Sequence, residues 1–490
     1  MHGFLASSIG VTCAAALALP LTPPAAAATA RPVPTTEAGT TARPAPHEGT
    51  PDATIADRRA AEPYAPGSTQ SLPLEPLTHH RATPSGPGAP EQGLTRRAVR
   101  HFSLVGIVWD DPEAELHGRV QVRTRAAGTR TWSGWQDVET HNADHAADRG
   151  TPENTSGRVR GATAPLWVGD SDGVELRVRS EPESAEADSA HDGTGARNLP
   201  AAPPLPSGLR LELVDPGDDA AADDVNDAAA GAAADGPRTA GLAGEASAAN
   251  ADLAFLGAAE IPALNRVETE REFFALNAGE PTERQQAKPY VGPRPSIVTR
   301  RGWGADEGLR ERGFRYTKKV KAAFVHHTAS GNNYRCSQAP SLIRSIYRYH
   351  VKSMGWRDIG YNFVIDKCGK IYEGRAGGVA RPVLGAHTLG FNSNSTGIAV
   401  LGSYGAKKPS SAAVRAVARL TAWKLGLYRV NPLGKTYLKS GGSNLYRKGK
   451  KVRLNAISGH RDGFRTECPG QKLYSELGSA RSNAARYQGR

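Results

Sequence analysis

What this sequence lacks narrows it first. Beyond its first thirty residues it has no apolar run long enough to span a membrane, and it has no HExxH helix of the metalloprotease type. No nucleic-acid reader motif accompanies its 61 Lys and Arg. Acidic side chains are scarce in one part only: residues 291–490 carry 37 Lys+Arg against 9 Asp+Glu, and the remainder is net acidic. A basic domain of this kind concentrates near polyanions. For an exported chain those are anionic wall polymers and membrane headgroups, not nucleic acid.

Cysteine is the other scarcity, with four in 490 residues. The apolar run "FLASSIGVTCAAALALPL" is too short and too rich in small residues for a membrane span, and Ala28-Thr29-Ala30 before Arg31 has the pattern of a cleavage site. Residues 1–30 therefore read as a secretory signal, although the short start "MHG" lacks Lys and Arg. Its removal leaves Cys336, Cys368 and Cys468. An odd thiol in a secreted protein is free, intermolecular or a metal ligand. Cys336 precedes an expected helix and Cys368 closes an expected strand, so these two are paired as a disulfide and Cys468 is left for chemistry. The pairings of Cys468 with either of them stay open.

Composition divides the rest. Residues 31–95 are rich in Pro, Thr and Ala, and residues 216–290 contain an Ala/Asp tract, so both are expected as disordered linkers, with a shorter loop over 183–204. Between them, residues 96–215 alternate with period two in "RVQVRTR", "VELRVR" and "LRLELV", which predicts an all-β, sandwich-like accessory module. Trp109, Trp132, Trp135 and Trp167 read as its core, with a sugar-stacking face as the alternative. Residues 291–490 mix periods. "AAFVHH", "YNFVIDK" and "TGIAVLGSY" are buried-strand candidates, while "PSLIRSIYRYHV" and "SSAAVRAVARLTAWKLGL" each line up an apolar helix face. The expected fold is multidomain: a C-terminal α/β domain with a central mixed sheet flanked by helices, the β module, and linkers.

In the C-terminal domain, histidines fall at strand ends or in Gly-rich loops: His326 and His327, His387, and His460 in "GHRDGFRTECPG" with Cys468. Two imidazoles and one thiolate would leave a tetrahedral zinc with its fourth position open, the pattern of a hydrolytic site. Such a metal lowers the pKa of bound water to about 7 and polarises a carbonyl. Tyr361 could then donate to the oxyanion and Thr466 could orient the water or the tetrahedral oxygen. His350 reads as a hydrogen-bonding residue of its helix.

The blocks "SIVTRRGWGAD", "VHHTA", "YHVKSMGWRDIGYNFVIDKCGKIYEGR", "GAHTLGFNSNSTGIAVLGSY" and "GHRDGFRTECPG", in that order over roughly residues 294–475, resemble the peptidoglycan recognition protein and type 2 N-acetylmuramoyl-L-alanine amidase superfamily. The resemblance implies a zinc hydrolase, with one Zn2+ per catalytic domain, that cuts the amide between muramic acid and the stem peptide of peptidoglycan. It implies zinc ligation by His326, His460 and Cys468, choosing His326 over His327, and catalytic roles for Tyr361 and Thr466. It places His387, Asn392, Trp356 and Arg375 near bound substrate. In animal members "YEGR" usually continues with Gly-Trp, whereas Arg375 here is followed by Ala376, Gly377 and Gly378. The segment 431–454, with seven Lys+Arg, is an addition suited to polyanion contact. High Ala, Gly and Arg usage fits a GC-rich bacterium, and the expected product is a secreted, wall-associated monomer. A non-catalytic peptidoglycan receptor or wall anchor is the alternative.

Overall fold

The run Ala322–His327 is apolar up to its two terminal histidines and buried on both faces, which is what a central strand with parallel neighbours requires. In the computed structural model, which describes residues 66–77, 91–181, 203–218, 236–277 and 289–490, it is the second strand of a seven-stranded mixed sheet.

The N-terminal module comprises β1 (Pro66–Pro73), β2 (Glu75–Pro76), β3 (Glu91–Trp109), β4 (Gly118–Ala126), β5 (Gln136–Val138), β6 (Gly161–Ala162), β7 (Leu166–Ser180) and β8 (Arg210–Gly217). They hydrogen-bond as one antiparallel sheet in the order β1-β8-β3-β7-β4-β5, with β2 and β6 each pairing with β3. The 19-residue β3 changes partners along its length through register shifts. Its last eight residues are buried on both faces: Val105, Ile107 and Trp109 enter the module's own core, and Leu104 and Val108 face the C-terminal domain.

That domain contains α1 (Gly236–Ala248), β9 (Glu260–Ile261), α2 (Arg266–Leu276), β10 (Ile297–Val298), β11 (Ala322–His327), α3 (Ala339–Arg348), β12 (Phe363–Ile365), β13 (Ile371–Glu373), β14 (Ser395–Val400), α4 (Ser411–Leu427), β15 (Lys435–Lys439), β16 (Lys451–Asn455), β17 (Ile457–Gly459), α5 (Gln471–Tyr474) and α6 (Leu477–Gln488). The main sheet runs β17-β11-β14-β12-β13-β10-β9, and β15 and β16 form a separate hairpin. Helix α4 starts at Ser410, whose hydroxyl accepts from Ala413 N–H, and buries one face on the sheet through Val417, Leu420 and Trp423. Helix α3 has a proline in its first turn and ends in a wider π turn, Tyr349–Ser353. That turn aims the Tyr349 hydroxyl at the carbonyls of Ile107 (3.2 Å) and Thr163 (3.1 Å). Gly106 makes room for the ring, since a Cβ there would lie 2.4 Å from it.

Two linker expectations are corrected. Within 31–95, residues 66–73 form β1, because alternating side chains such as Leu72 pack on the module core once β8 supplies a partner. Within 216–290, residues 236–277 fold onto the C-terminal domain, where Leu253, Ile261 and Phe273 join the main core. Their apolar residues are too irregularly spaced to show a period, and tertiary contacts decide their structure. The expected signal, most of the 183–204 loop and the Ala/Asp tract at 219–235 lie outside the described residues. Trp109 and Trp167 are core, but Trp132 and Trp135 are half-buried beneath the guanidinium groups of Arg96, Arg123 and Arg177. Cys336 and Cys368 form the disulfide.

Candidate metal centre

Successive side chains of a strand point to opposite faces, so of the adjacent pair ending β11 only one imidazole reaches the cluster. His326 does. His327 faces away, and its Nδ1 accepts from Tyr404 N–H at 3.3 Å. His460 arrives from the turn after β17, and Cys468 from the loop that follows it, free and buried. Nδ1 of His326 lies 3.1 Å from Nδ1 of His460 and 3.7 Å from Cys468 Sγ.

The three expected ligands are joined by a fourth side chain. His145, in residues 139–160 between β5 and β6, places Nε2 3.6 Å from Cys468 Sγ, and the donor atoms of His145, His326, His460 and Cys468 all lie within 4.8 Å of one another. Tetrahedral zinc, with Zn–N near 2.0–2.1 Å and Zn–S near 2.3 Å, separates neighbouring ligand atoms by roughly 3.3–3.6 Å. The His326–His460 spacing of 3.1 Å and the Cys468 spacings of 3.6 and 3.7 Å lie close to those values. The orienting contacts suit a metal too. Asp144 Oδ1 lies 3.1 Å from His145 Nδ1 and accepts its proton, so His145 Nε2 presents a lone pair to the cluster. His326 Nε2 lies 3.3 Å from His387 Nδ1 and 3.4 Å from Thr388 Oγ1.

Electrostatics favour a cation here. Burial holds His326 well below the usual imidazole range and His460 down to about 3, so both are the neutral donors a metal requires. Burial and the Asp144 charge push the Cys468 thiol well above its ordinary value. A thiolate at that position needs a metal beside it. Burial opposes ionisation of Asp144 as well, but His145, His460 and Thr466 outweigh it and hold its carboxyl well below the usual carboxylate range.

Residues 316–471 match the family model described as N-acetylmuramoyl-L-alanine amidase, and residues 52–200 match one described as Rv3811 N-terminal galactose-binding domain-like. Over 184 residues the chain is 32% identical to Peptidoglycan-recognition protein SC2 of Drosophila simulans, covering 37% of this chain and 84% of that protein. The chain belongs to the peptidoglycan recognition protein and type 2 amidase superfamily. It is also 34% identical to the human N-acetylmuramoyl-L-alanine amidase, over 37% of this chain and 28% of that protein. The solved structure of wild-type Drosophila PGRP-LB is similar over 37% of this chain and 92% of its own, with 26% identity and a TM-score of 0.30.

In this superfamily member the other expected site residues fall into two groups. Tyr361 and Thr466 stand at the histidine–cysteine cluster. The Tyr361 ring is 5.6 Å from that of His326, and burial keeps its phenol protonated by pushing its pKa well above the ordinary value. Thr466 Oγ1 accepts from Cys468 N–H at 3.1 Å and hydrogen-bonds Asp144.

The four substrate candidates are not all where they were expected. His387 lies behind His326, its ring fitted where Gly385 and Gly397 have no side chain, so it is fully buried and braces the His326 ring. Trp356 is core. It packs on His350 with ring centroids 4.5 Å apart, and His350 Nδ1 accepts from Gly360 N–H at 3.2 Å. Asn392 and Arg375 are both buried, and both are bound by residues 139–160. Asn392 Nδ2 donates to Asp148 Oδ1 at 2.7 Å and to the Ala146 carbonyl at 2.8 Å. Arg375 holds both oxygens of Glu153, each at 2.9 Å. Sequence reasoning missed Asp144, His145, Asp148 and Glu153. The one available signal was a connection over residues 139–160 far longer than most within a compact module.

Proposed function

We propose that this chain is a zinc-dependent N-acetylmuramoyl-L-alanine amidase that hydrolyses the amide between N-acetylmuramic acid and L-alanine in peptidoglycan stem peptides. The observation that carries this reading is the convergence of His326, His460 and an unpaired Cys468 at zinc-ligand spacing. Bound zinc would supply an activated water and a Lewis acid for the scissile carbonyl. The chain's own residues supply the rest. The Tyr361 phenol, kept protonated by burial, donates to the oxyanion as it develops. Thr466 orients the attacking water, and His387 and Thr388 fix the ring of His326. Arg375 and Asn392 bind the stem peptide, with the guanidinium fork matched to a carboxylate. The enzyme acts as an exported, wall-associated monomer, and the basic β15–β16 hairpin contacts anionic wall polymers.

The test is zinc content together with prolonged digestion of purified sacculi, read by product mass. The expected product is a peptide with a free amino-terminal L-alanine, and Cys468→Ser is expected to lose both zinc and cleavage. Unchanged turnover in that variant overturns the reading. The fourth donor, His145, favours a second reading, a non-catalytic peptidoglycan receptor, since a zinc with four protein ligands is closed. Co-sedimentation with sacculi without release of peptide on any timescale supports that one.

A further inference from the structure

Residues 139–160 belong to the β module, yet four of their side chains engage the histidine–cysteine cluster, Asn392 and Arg375 of the other domain. His145 adds a fourth donor atom to the cluster, whereas a hydrolytic zinc site has three protein donors and a water. Asp144, next in sequence, fixes the His145 tautomer, and its Oδ2 lies 3.4 Å from His460 Nδ1. Asp148 accepts from Asn392 Nδ2 and from Gly390 N–H at 2.8 Å. Glu153 occupies the guanidinium fork of Arg375, the group best suited to an acidic stem peptide.

We propose that His145 is the fourth protein ligand of the zinc and that residues 139–160 fill the substrate cleft, so that the chain is a latent amidase restrained by its own β module. This rests on the reading of the site as a zinc amidase. The geometry gives the loop two independent holds. One is the metal vertex, where an imidazole displaces the water that attack requires. The other is a carboxylate comb, Asp148 and Glu153, which spends the polar groups of the cleft on the chain itself. A permanent structural zinc would need only the first. Occupying Asn392 and Arg375 as well is what a pseudosubstrate does, and an incoming acidic peptide competes directly for the same fork. Release requires the loop to leave, with water or substrate replacing His145 on the metal, so activation is a ligand displacement and no peptide bond need be cut.

The test uses the full chain loaded with cobalt(II), whose visible spectrum reports the ligand set, titrated with acetohydroxamic acid as an exogenous ligand. The wild-type spectrum is expected to resist hydroxamate, whereas that of His145→Ala shifts at a concentration about tenfold lower or less. Glu153→Gln leaves all four ligands in place and loosens the loop, so it is expected to respond between the two. It carries the test should His145→Ala fail to fold. Sacculus digestion is expected to quicken about tenfold or more in His145→Ala. A wild-type spectrum that responds to hydroxamate as readily as the variants overturns latency while leaving the amidase reading intact. Failure of every chain to take up cobalt overturns both. Variants that bind hydroxamate yet release no peptide sustain the fourth ligand and the closed cleft, but overturn the amidase reading and with it latency as an enzyme's property.

Discussion

At the scale of single residues, the grouping of His326, His460 and Cys468 was legible and its neighbours were not. His326, His460, Cys468, Tyr361 and Thr466 sit in short motifs whose residue types are dictated by chemistry, so the sequence carried them. His387 and Trp356 sit in equally clear motifs, but whether a ring lines a cleft or backs a ligand depends on packing from Gly385, Gly397 and His350. His145 had no motif at all, because its partners come from another domain. The residue whose role is most open to test is Tyr361. If its hydroxyl stabilises the oxyanion, Tyr361→Phe in a His145→Ala background loses about 10²–10³ in turnover with zinc content unchanged. Peptide release beside metal analysis measures both quantities on one preparation.

At the scale of elements, the strands that read best were short segments with an apolar stretch, β11 and β14, which are buried on both faces as central strands with parallel neighbours are. The segments that read worst, β1 and residues 236–277, are held by what lies beside them. One of those contacts gives strand β13 a pH dependence. Glu373 is fully enclosed, with Asn250 Nδ2 donating to both carboxyl oxygens at 3.0 Å, Arg300 N–H at 3.2 Å, and the charges of Arg300 and Glu307 nearby. Burial pushes its carboxyl up to about 7 from an ordinary 4.5. Between those values the folded state holds a proton that the unfolded chain has lost. The contribution to stability is therefore complete below pH 4.5 and is lost as pH rises through 7. Thermal unfolding between pH 5 and pH 8 is expected to show a falling Tm for the wild type and a flatter profile for Glu373→Gln, with the variant gaining most at pH 8.

At the scale of the molecule, two modules that match different family models share one hydrophobic cluster: Leu104, Val108, Trp167 and Val214 of the β sheet pack with Ile346, Tyr347 and Tyr349 of the C-terminal domain. The division into a β module and an α/β domain was visible in composition and period, but their union was not, because an interface leaves no periodic trace in either sequence. A metal held by ligands from both modules would add to that union. Chelation is then expected to lower the Tm of the wild-type chain by more than that of His145→Ala, measured by calorimetry on matched metal-loaded and stripped samples, since a ligand that binds only the native state stabilises it in proportion to its affinity. The loop 139–160 is tied at both ends to its own sheet, at Val138 and Gly161. Its abundance beside the cleft is thus fixed by the tether and does not fall on dilution. On the latent reading proposed above, a dilute molecule is as quiescent as a concentrated one, and only a ligand that competes with the loop can wake it.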